Sequence, residues 1–146
     1  MRILPALSLA AAVAMVAAVG SVSAQADDGL PFNGVTVDQV GHLSRDGWVT
    51  LSGTYRCSPD GSADPVVIGA SLAQGRRQYS IDSSPADCDG YPHRWQNASR
   101  PEGADIRPGG VHAQAILVRL SFTGLIPLPH LLAGGERDIL LERNGR

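Results

Sequence analysis

Three consecutive residues, His93, Arg94 and Trp95, form the most suggestive local cluster in the sequence. In an extended segment His93 and Trp95 would share one face, and Arg94 would point the opposite way. Together with Tyr91, Arg94 and Trp95 predict a recognition patch, because aromatic side chains and arginine are common binding anchors. The alternative, which we favour, places Trp95 in the core near a disulfide with His93 beside it.

The histidines, serines and carboxylates of the sequence form no recognised signature of catalysis or metal binding. No two histidines have the spacing that presents both imidazoles to one ion; they are His42, His93, His112 and His130. No serine lies in a nucleophile-elbow string, and Asp87 and Asp89 are typical of turn chemistry beside Gly90. We therefore predict no catalytic residue, no cofactor and no metal site, and an exported hydrolase of unfamiliar type remains an alternative.

The N-terminus predicts export. Arg2 precedes an apolar run over residues 3–19, and small residues follow at 20–24. This pattern indicates a signal peptide over residues 1–24, cleaved before Gln25 or Asp27. A membrane anchor is disfavoured because the run is shorter than the ~20 residues that span a bilayer. No later stretch is apolar enough to span, so we predict a secreted protein, extracellular or in the cell envelope.

The interpretation of the two cysteines, Cys57 and Cys88, depends on that compartment. An even cysteine count in an exported chain is read first as a disulfide. Two free thiols or a metal site are the alternatives, and neither has supporting ligands at a recognised spacing. A rigid loop held by such a bond would also suit a secreted protease inhibitor, which is a further alternative function.

The charge excludes one class of partner. Loss of Arg2 with the signal leaves 11 arginines and no lysine against 14 acidic residues, a net charge of −3. Proteins that bind nucleic acid are usually strongly positive. We therefore predict no nucleic-acid partner.

The elements that must position these residues are short strands. Residues 25–33 form a polar lead-in, and residues 34–146 predict a single β-sandwich domain. The clearest strand runs from Trp48 to Cys57, where Gly53 interrupts the apolar face and indicates a bulge or a close backbone approach. Apolar residues alternate along one face of it: Val49, Leu51, Tyr55 and Cys57.

About seven such strands, separated by turns, predict an all-β fold, an immunoglobulin-like β-sandwich. A Pro108-Gly109 turn introduces a long penultimate strand from Val111 to Phe122, as in bacterial immunoglobulin-like domains, and Asp138 to Arg143 gives the last strand. Trp95 follows both cysteines, which departs from the Cys–Trp–Cys order of antibody domains.

Three local strings carry a family resemblance. They are Val35–Asp38, Leu51–Cys57, and Cys88–Gly90 with His93–Trp95. Together they resemble a family of small exported bacterial proteins, the domain of unknown function 6299 type, from about Val35 to the last strand. The resemblance implies export and a β-rich domain, and it implies no activity.

One apolar segment, Leu125–Leu132, lies between the last two predicted strands and is interrupted by Pro127 and Pro129. As a loop it would expose leucines, and exposed apolar patches often contact a protein partner. The alternative is a loop folded over one end of the sandwich. The sequence therefore predicts an exported non-enzymatic module that binds or supports a component of the cell envelope or the medium.

Overall fold

A computed structural model describes residues 30–144, and within them the chain is all β. The predicted signal peptide, residues 1–24, lies outside the described residues. Between residues 30 and 144 there is no helix long and apolar enough to cross a membrane. The described residues contain eight strands, where the sequence predicted about seven: β1 (Gly34–Val35), β2 (Val40–Leu43), β3 (Val49–Arg56), β4 (Val66–Gln74), β5 (Arg77–Pro85), β6 (His93–Ser99), β7 (Gly109–Thr123) and β8 (Ile126–Arg143).

The strands form two groups that pack face to face. In one, β3 pairs with β6 on one edge and with β1 and β2 on the other. In the second, the order is β5–β4–β7–β8, all antiparallel. The strand order of both groups resembles that of immunoglobulin-like sandwiches, in which the second and fifth strands pair in one sheet and the last strands lie in the other. Here β3 and β6 are that pair, and β7 and β8 lie in the opposite group. The predicted β-sandwich is confirmed.

The two groups are joined through β2, which pairs antiparallel with β3 and parallel with β8. Val40 pairs with Leu140 and Leu43 with Arg143 in the parallel ladder. A strand near the beginning of the described residues and the strand at their end therefore join the two groups.

The core lies between the groups and is built from alternating strand residues. Leu51 on β3 and Ile68 on β4 are fully buried, because successive strand residues point to opposite faces and burial alternates along both strands. The four apolar residues predicted to share a face of β3 are all buried: Val49, Leu51, Tyr55 and Cys57. That prediction is confirmed.

Position 53 has no room for a side chain, because two other groups occupy the space. A Cβ built on it would lie 1.9 Å from the Thr36 carbonyl oxygen and 2.6 Å from Nε1 of Trp95. The close backbone approach predicted at Gly53 is confirmed, and it lets the Trp95 indole donate a 2.8 Å hydrogen bond to Thr36.

Asn97 on β6 is the buried polar residue that ties the two groups together. Its Nδ2 donates to the carbonyls of Ile68 at 3.0 Å and Asp82 at 3.1 Å, and its Oδ1 accepts from the Ser84 hydroxyl. The β4–β5 ladder shifts register just after Ile68, between Gly69 and Ser71. Asn97 thus satisfies carbonyls at an irregularity that would otherwise leave them unpaired in the interior.

The last strand departs most from prediction. β8 begins at Ile126, twelve residues before the predicted start at Asp138, so the Leu125–Leu132 segment is not a loop. Only Gly124 and Leu125 form the turn, and the rest of the segment pairs with β7. The loop prediction is wrong because the two prolines, taken as chain breakers, lie where a strand edge tolerates them.

Candidate functional site

Two surface regions leave the sandwich at the same end, around the start of β4. Val66 pairs with Arg119 of β7, and its carbonyl accepts the Ala86 N–H at 2.8 Å. Ala86 is the first residue of the segment that contains Cys88. Arg119 lies just before the part of the β7–β8 hairpin that includes its turn. We call residues 86–92 the disulfide loop and residues 120–131 the arm.

The disulfide loop is tied back to β3. Cys88 is bonded to Cys57, so the predicted disulfide is confirmed. The Tyr55 hydroxyl accepts the Asp87 N–H at 2.9 Å, and the Cys57 carbonyl accepts the Gly90 N–H at 2.9 Å. In return the Gly90 carbonyl accepts from the Arg56 guanidinium at 2.6 Å. This bond arrangement, different from the strand-to-strand disulfide of antibody domains, fixes the loop at both ends.

Inside the loop, Asp89 organises the turn before β6. Its Oδ1 accepts the Tyr91 N–H at 2.9 Å and lies 2.8 Å from Nε2 of His93. The hydrogen bond from the Tyr91 amide, followed by that from His93, lowers the pKa of Asp89. Tyr91 itself projects outward, with 71% of its surface exposed.

The predicted recognition patch is not brought together on one surface. Trp95 is 3% exposed and lies in the core, whereas Tyr91 and Arg94 are exposed. Arg94 binds both carboxylate oxygens of Asp38, which also accepts from the Ser52 hydroxyl at 2.9 Å. The hydrogen bond from Arg94 lowers the pKa of Asp38, so Arg94 is already paired within the chain.

A second polar cluster lies on the outer face of the β7–β8 pair. His112 Nδ1 is 2.7 Å from Asp138, and its Nε2 is 3.3 Å from Glu136. Gln114 donates to Glu136 at 3.0 Å. The hydrogen bonds to Asp138 first and Glu136 second raise the pKa of His112. Both ring nitrogens of His112 therefore face carboxylates.

In residues 30–144 no three His, Cys, Asp or Glu side chains are arranged to hold an ion. A half-open cleft of about 480 Å³ lies where the β2–β3 turn meets the loop before β7, with Asp46, Arg100 and Glu102 in its wall. Its lining is mixed in charge and largely open to solvent.

The arm is a two-stranded ribbon that extends past the rest of the sheet. The last residue of β7 paired with β4 is Arg119, and one further bond joins the Leu120 N–H to the Pro65 carbonyl. Beyond it, β7 and β8 pair only with each other. The base of the arm is held by a 2.8 Å salt bridge between Arg119 and Asp60 and by a 3.3 Å hydrogen bond from the Ser121 hydroxyl to Asp64.

The arm exposes apolar side chains. Phe122 is 59% exposed, Leu125 at the turn is fully exposed, and Ile126 is 70% exposed. No Asp, Glu, Arg or Lys occurs between Arg119 and Glu136. Exposed apolar groups of this density are typical of an interaction surface.

The two faces of the arm differ in composition. Pairing places Leu120 opposite Pro129, Phe122 opposite Pro127, and Val118 opposite Leu131, and paired residues share a face. We define the apolar face by these six residues together with Ile116, which continues the same side of β7. The opposite face of the arm mixes polar and apolar residues: Ser121, Thr123, Ile126, Leu128 and His130.

The family comparison decides the identity of the domain. The model of a family of unknown function, DUF6299, matches residues 31–144. The chain belongs to this family. A search of curated proteins finds no match. The DUF6299 match covers nearly all the described residues, so it includes the disulfide loop and the arm alike.

Part of this candidate site could be located from the sequence. The prediction singled out the apolar segment now seen in the arm, but it missed the contribution of β7, namely Leu120 and Phe122. The sequence did contain a signal for these residues. Apolar residues occur at every second position, Ile116, Val118, Leu120 and Phe122, and this pattern continues beyond the last inward-facing apolar residue of β7. The prediction also missed the His112 cluster, because strand pairing across 26 residues brings Asp138 to His112.

Proposed function

We propose that this chain is a non-enzymatic exported module that binds a protein partner through the arm. The apolar residues exposed on a ribbon that is bonded to its own domain only at its base carry the proposal. A two-stranded ribbon is marginally stable in water by itself, and this one would gain stability from a partner that covers it.

Two observations support export. The N-terminal pattern of Arg2, an apolar run and small residues is typical of a signal peptide. The Cys57–Cys88 disulfide suits an oxidising compartment outside the cytoplasm.

Binding is placed ahead of hydrolysis because of what the histidines contact. His112 faces Asp138 and Glu136, and His93 faces Asp89. A hydrolase of the Ser–His type needs one imidazole nitrogen beside a hydroxyl nucleophile, and both ring nitrogens of His112 face carboxylates instead.

Site-specific photocrosslinking in the producing cell tests the proposal. A photoreactive amino acid is placed at Leu125 in the arm and, as the matched control, at Arg76 in the exposed β4–β5 turn. We expect irradiation to give a defined higher-mass product from Leu125 and none from Arg76, with mass spectrometry identifying the joined protein. No product from Leu125, or equal products from both positions, would refute the arm as the binding surface.

A second candidate, a secreted protease inhibitor, is favoured by one observation. The disulfide loop is fixed to β3 by a covalent bond and three hydrogen bonds, yet it exposes Tyr91. A large aromatic side chain on a rigid loop suits a protease with an apolar specificity pocket. If this candidate holds, the protein inhibits a chymotrypsin-type protease, and Tyr91→Ala abolishes the inhibition; absence of inhibition by the unmodified protein removes the candidate.

A further inference from the structure

We infer that the partner of the arm is a second copy of this chain, which packs its apolar face against the same face in an antiparallel, two-fold arrangement. The inference rests on the proposed function and specifies its occupant. A two-fold contact uses the same patch on both copies, so the patch must be compatible with itself.

The composition of the apolar face meets that condition. Its seven members are all uncharged and apolar, so two copies meet without any like-charge contact; they are Ile116, Val118, Leu120, Phe122, Pro127, Pro129 and Leu131. At its inner end the face has no side chain opposite Ile116, which pairs with Gly134, and an open cleft of about 300 Å³ lies there. Two faces of β-ribbons pack about 10 Å apart, as in a sandwich.

The area is sufficient for a weak specific dimer. Given the exposure of Phe122, Leu131 and Ile116, the face presents roughly 500 Å² of apolar surface. Two facing copies would bury about 1,000 Å², near the lower limit for a specific interface. We therefore expect a dissociation constant on the order of 10 μM.

The charges at the base of the face select the antiparallel orientation. His112, Glu136 and Asp138 lie on the same side of the sheet as the apolar face. Parallel packing would place the carboxylates of both copies side by side. Antiparallel packing about Leu120 places each cluster about 27 Å from the two-fold axis, at ~3.4 Å per residue along the strand. The two clusters are then separated by several screening lengths of about 8 Å.

The prolines disfavour association by strand addition along one edge. The two-residue turn makes Thr123 and Ile126 a hydrogen-bonded pair, so Pro127 and Pro129 fall at non-hydrogen-bonded positions. An N–H at those positions would point away from β7, and proline has none. The free edge of β8 therefore lacks donors there, so strand addition along this edge is disfavoured.

A lipid surface fits the arm less well. Interfacial segments that bind membranes usually carry Lys or Arg for anionic headgroups, and the arm has neither. The carboxylates at its base would be repelled by such a surface. The amide of Phe122 points away from β8, beyond the last bond to Pro65, and would lie unpaired in hydrocarbon.

Sedimentation equilibrium of the purified protein, from about 1 to about 300 μM, tests the inference around the expected dissociation constant. The test variant carries Phe122→Ser with Leu131→Ser on the apolar face. The matched control carries Ile126→Ser with Leu128→Ser, which removes exposed apolar groups from the opposite face of the same ribbon. We expect a dimer from the unmodified protein, about 100-fold weaker association in the test variant, and less than a threefold change in the control.

Circular dichroism at low concentration confirms that each variant is folded, and Leu131→Glu serves as a second test variant that should abolish the dimer by charge repulsion. A monomer at all concentrations, or a dimer insensitive to both face variants, would overturn the inference.

Other results separate the inference from the proposed function. A Leu125 crosslink to a different protein, or arm-dependent binding to phosphatidylglycerol vesicles, would exclude the second copy. The first of these leaves the proposed function intact, and the second contradicts it.

Discussion

The disulfide loop and the arm begin at the same end of the sandwich, on either side of Val66, and are held in opposite ways. The loop returns to β3 within a few residues and is fixed by a disulfide and hydrogen bonds to Tyr55, Cys57 and Arg56. The arm continues outward, and beyond its base its two strands bond only to each other. One region is therefore stabilised by its own domain, and the other presents apolar groups that the domain does not cover.

This difference separates stability from binding along the chain. Substitutions near β3, β6 and the disulfide loop should change the free energy of unfolding. Substitutions in the arm should change association and leave the monomer nearly as stable. The four predictions below test this separation, in decreasing order of effect.

The largest effect is expected from Gly53→Ala. The added Cβ would lie 1.9 Å from the Thr36 carbonyl, so the backbone must move and the hydrogen bond from Trp95 to Thr36 must break. We expect the free energy of unfolding to fall by about 4 kcal/mol or more, measured by urea denaturation. Gly134→Ala at the base of the arm is the matched control, because its Cβ would meet nothing within 4 Å; its effect should stay within about 1 kcal/mol. Equal effects would contradict the separation.

The next effect is expected when both cysteines are replaced by Ala. The disulfide spans a separation of 31 residues, and the chain-entropy relation gives about 3.7 kcal/mol for a loop of that length. For a domain of this size that corresponds to a melting temperature lower by about 15 °C, followed by circular dichroism. The far-ultraviolet spectrum of the folded state should be retained. An unchanged melting temperature would show that the hydrogen bonds hold the loop without the disulfide.

A small effect on the monomer is expected from the arm variant Phe122→Ser with Leu131→Ser. Both side chains are exposed in the single chain, so their loss should cost less than about 1 kcal/mol at micromolar concentration. At high concentration the unmodified protein should melt at a higher temperature than the variant, because dimerisation stabilises the folded state. Strong destabilisation at low concentration would mean that the arm supports its own domain.

The smallest effect is a pH dependence at His112. The carboxylates of Asp138 and Glu136 raise the pKa of His112 in the folded protein. Its contribution to stability is fully present below its unfolded pKa of about 6.5 and is lost as the pH rises through the higher folded pKa. Asp138→Asn should lower the pKa of His112, as followed by NMR titration of the ring protons. A titration curve that does not change on this substitution would show that the pair does not persist in solution.

Local patterns in the sequence were sufficient for the regions near β3. Alternation identified the buried residues of β3, and Gly53 within that alternation signalled a close approach. The even cysteine count predicted the disulfide. In each case the information lies within one strand or in one residue type, so no knowledge of distant pairing was needed.

The arm and the His112 cluster depend on pairing that the sequence does not display. Pro127 and Pro129 normally end a strand, and only the register set by the turn shows that both occupy positions where no N–H is required. Trp95 could be assigned to the core or to a surface patch, because the direction of an alternating strand is decided by the sheet on which it packs. The parallel partner of β2 is β8, a hundred residues away, and no local pattern in the sequence indicates this pairing.

That last pairing determines when the fold can be completed. Val40 reaches its β8 partner only once Leu140 is present, so β2 keeps one unpaired edge until the hundred residues between them have been synthesised. Contacts of such sequence separation place folding in the range of milliseconds to seconds. During that interval the exposed edge is open to pairing with other chains. A chain that stopped before Leu140 would keep this edge of β2 permanently open to such pairing.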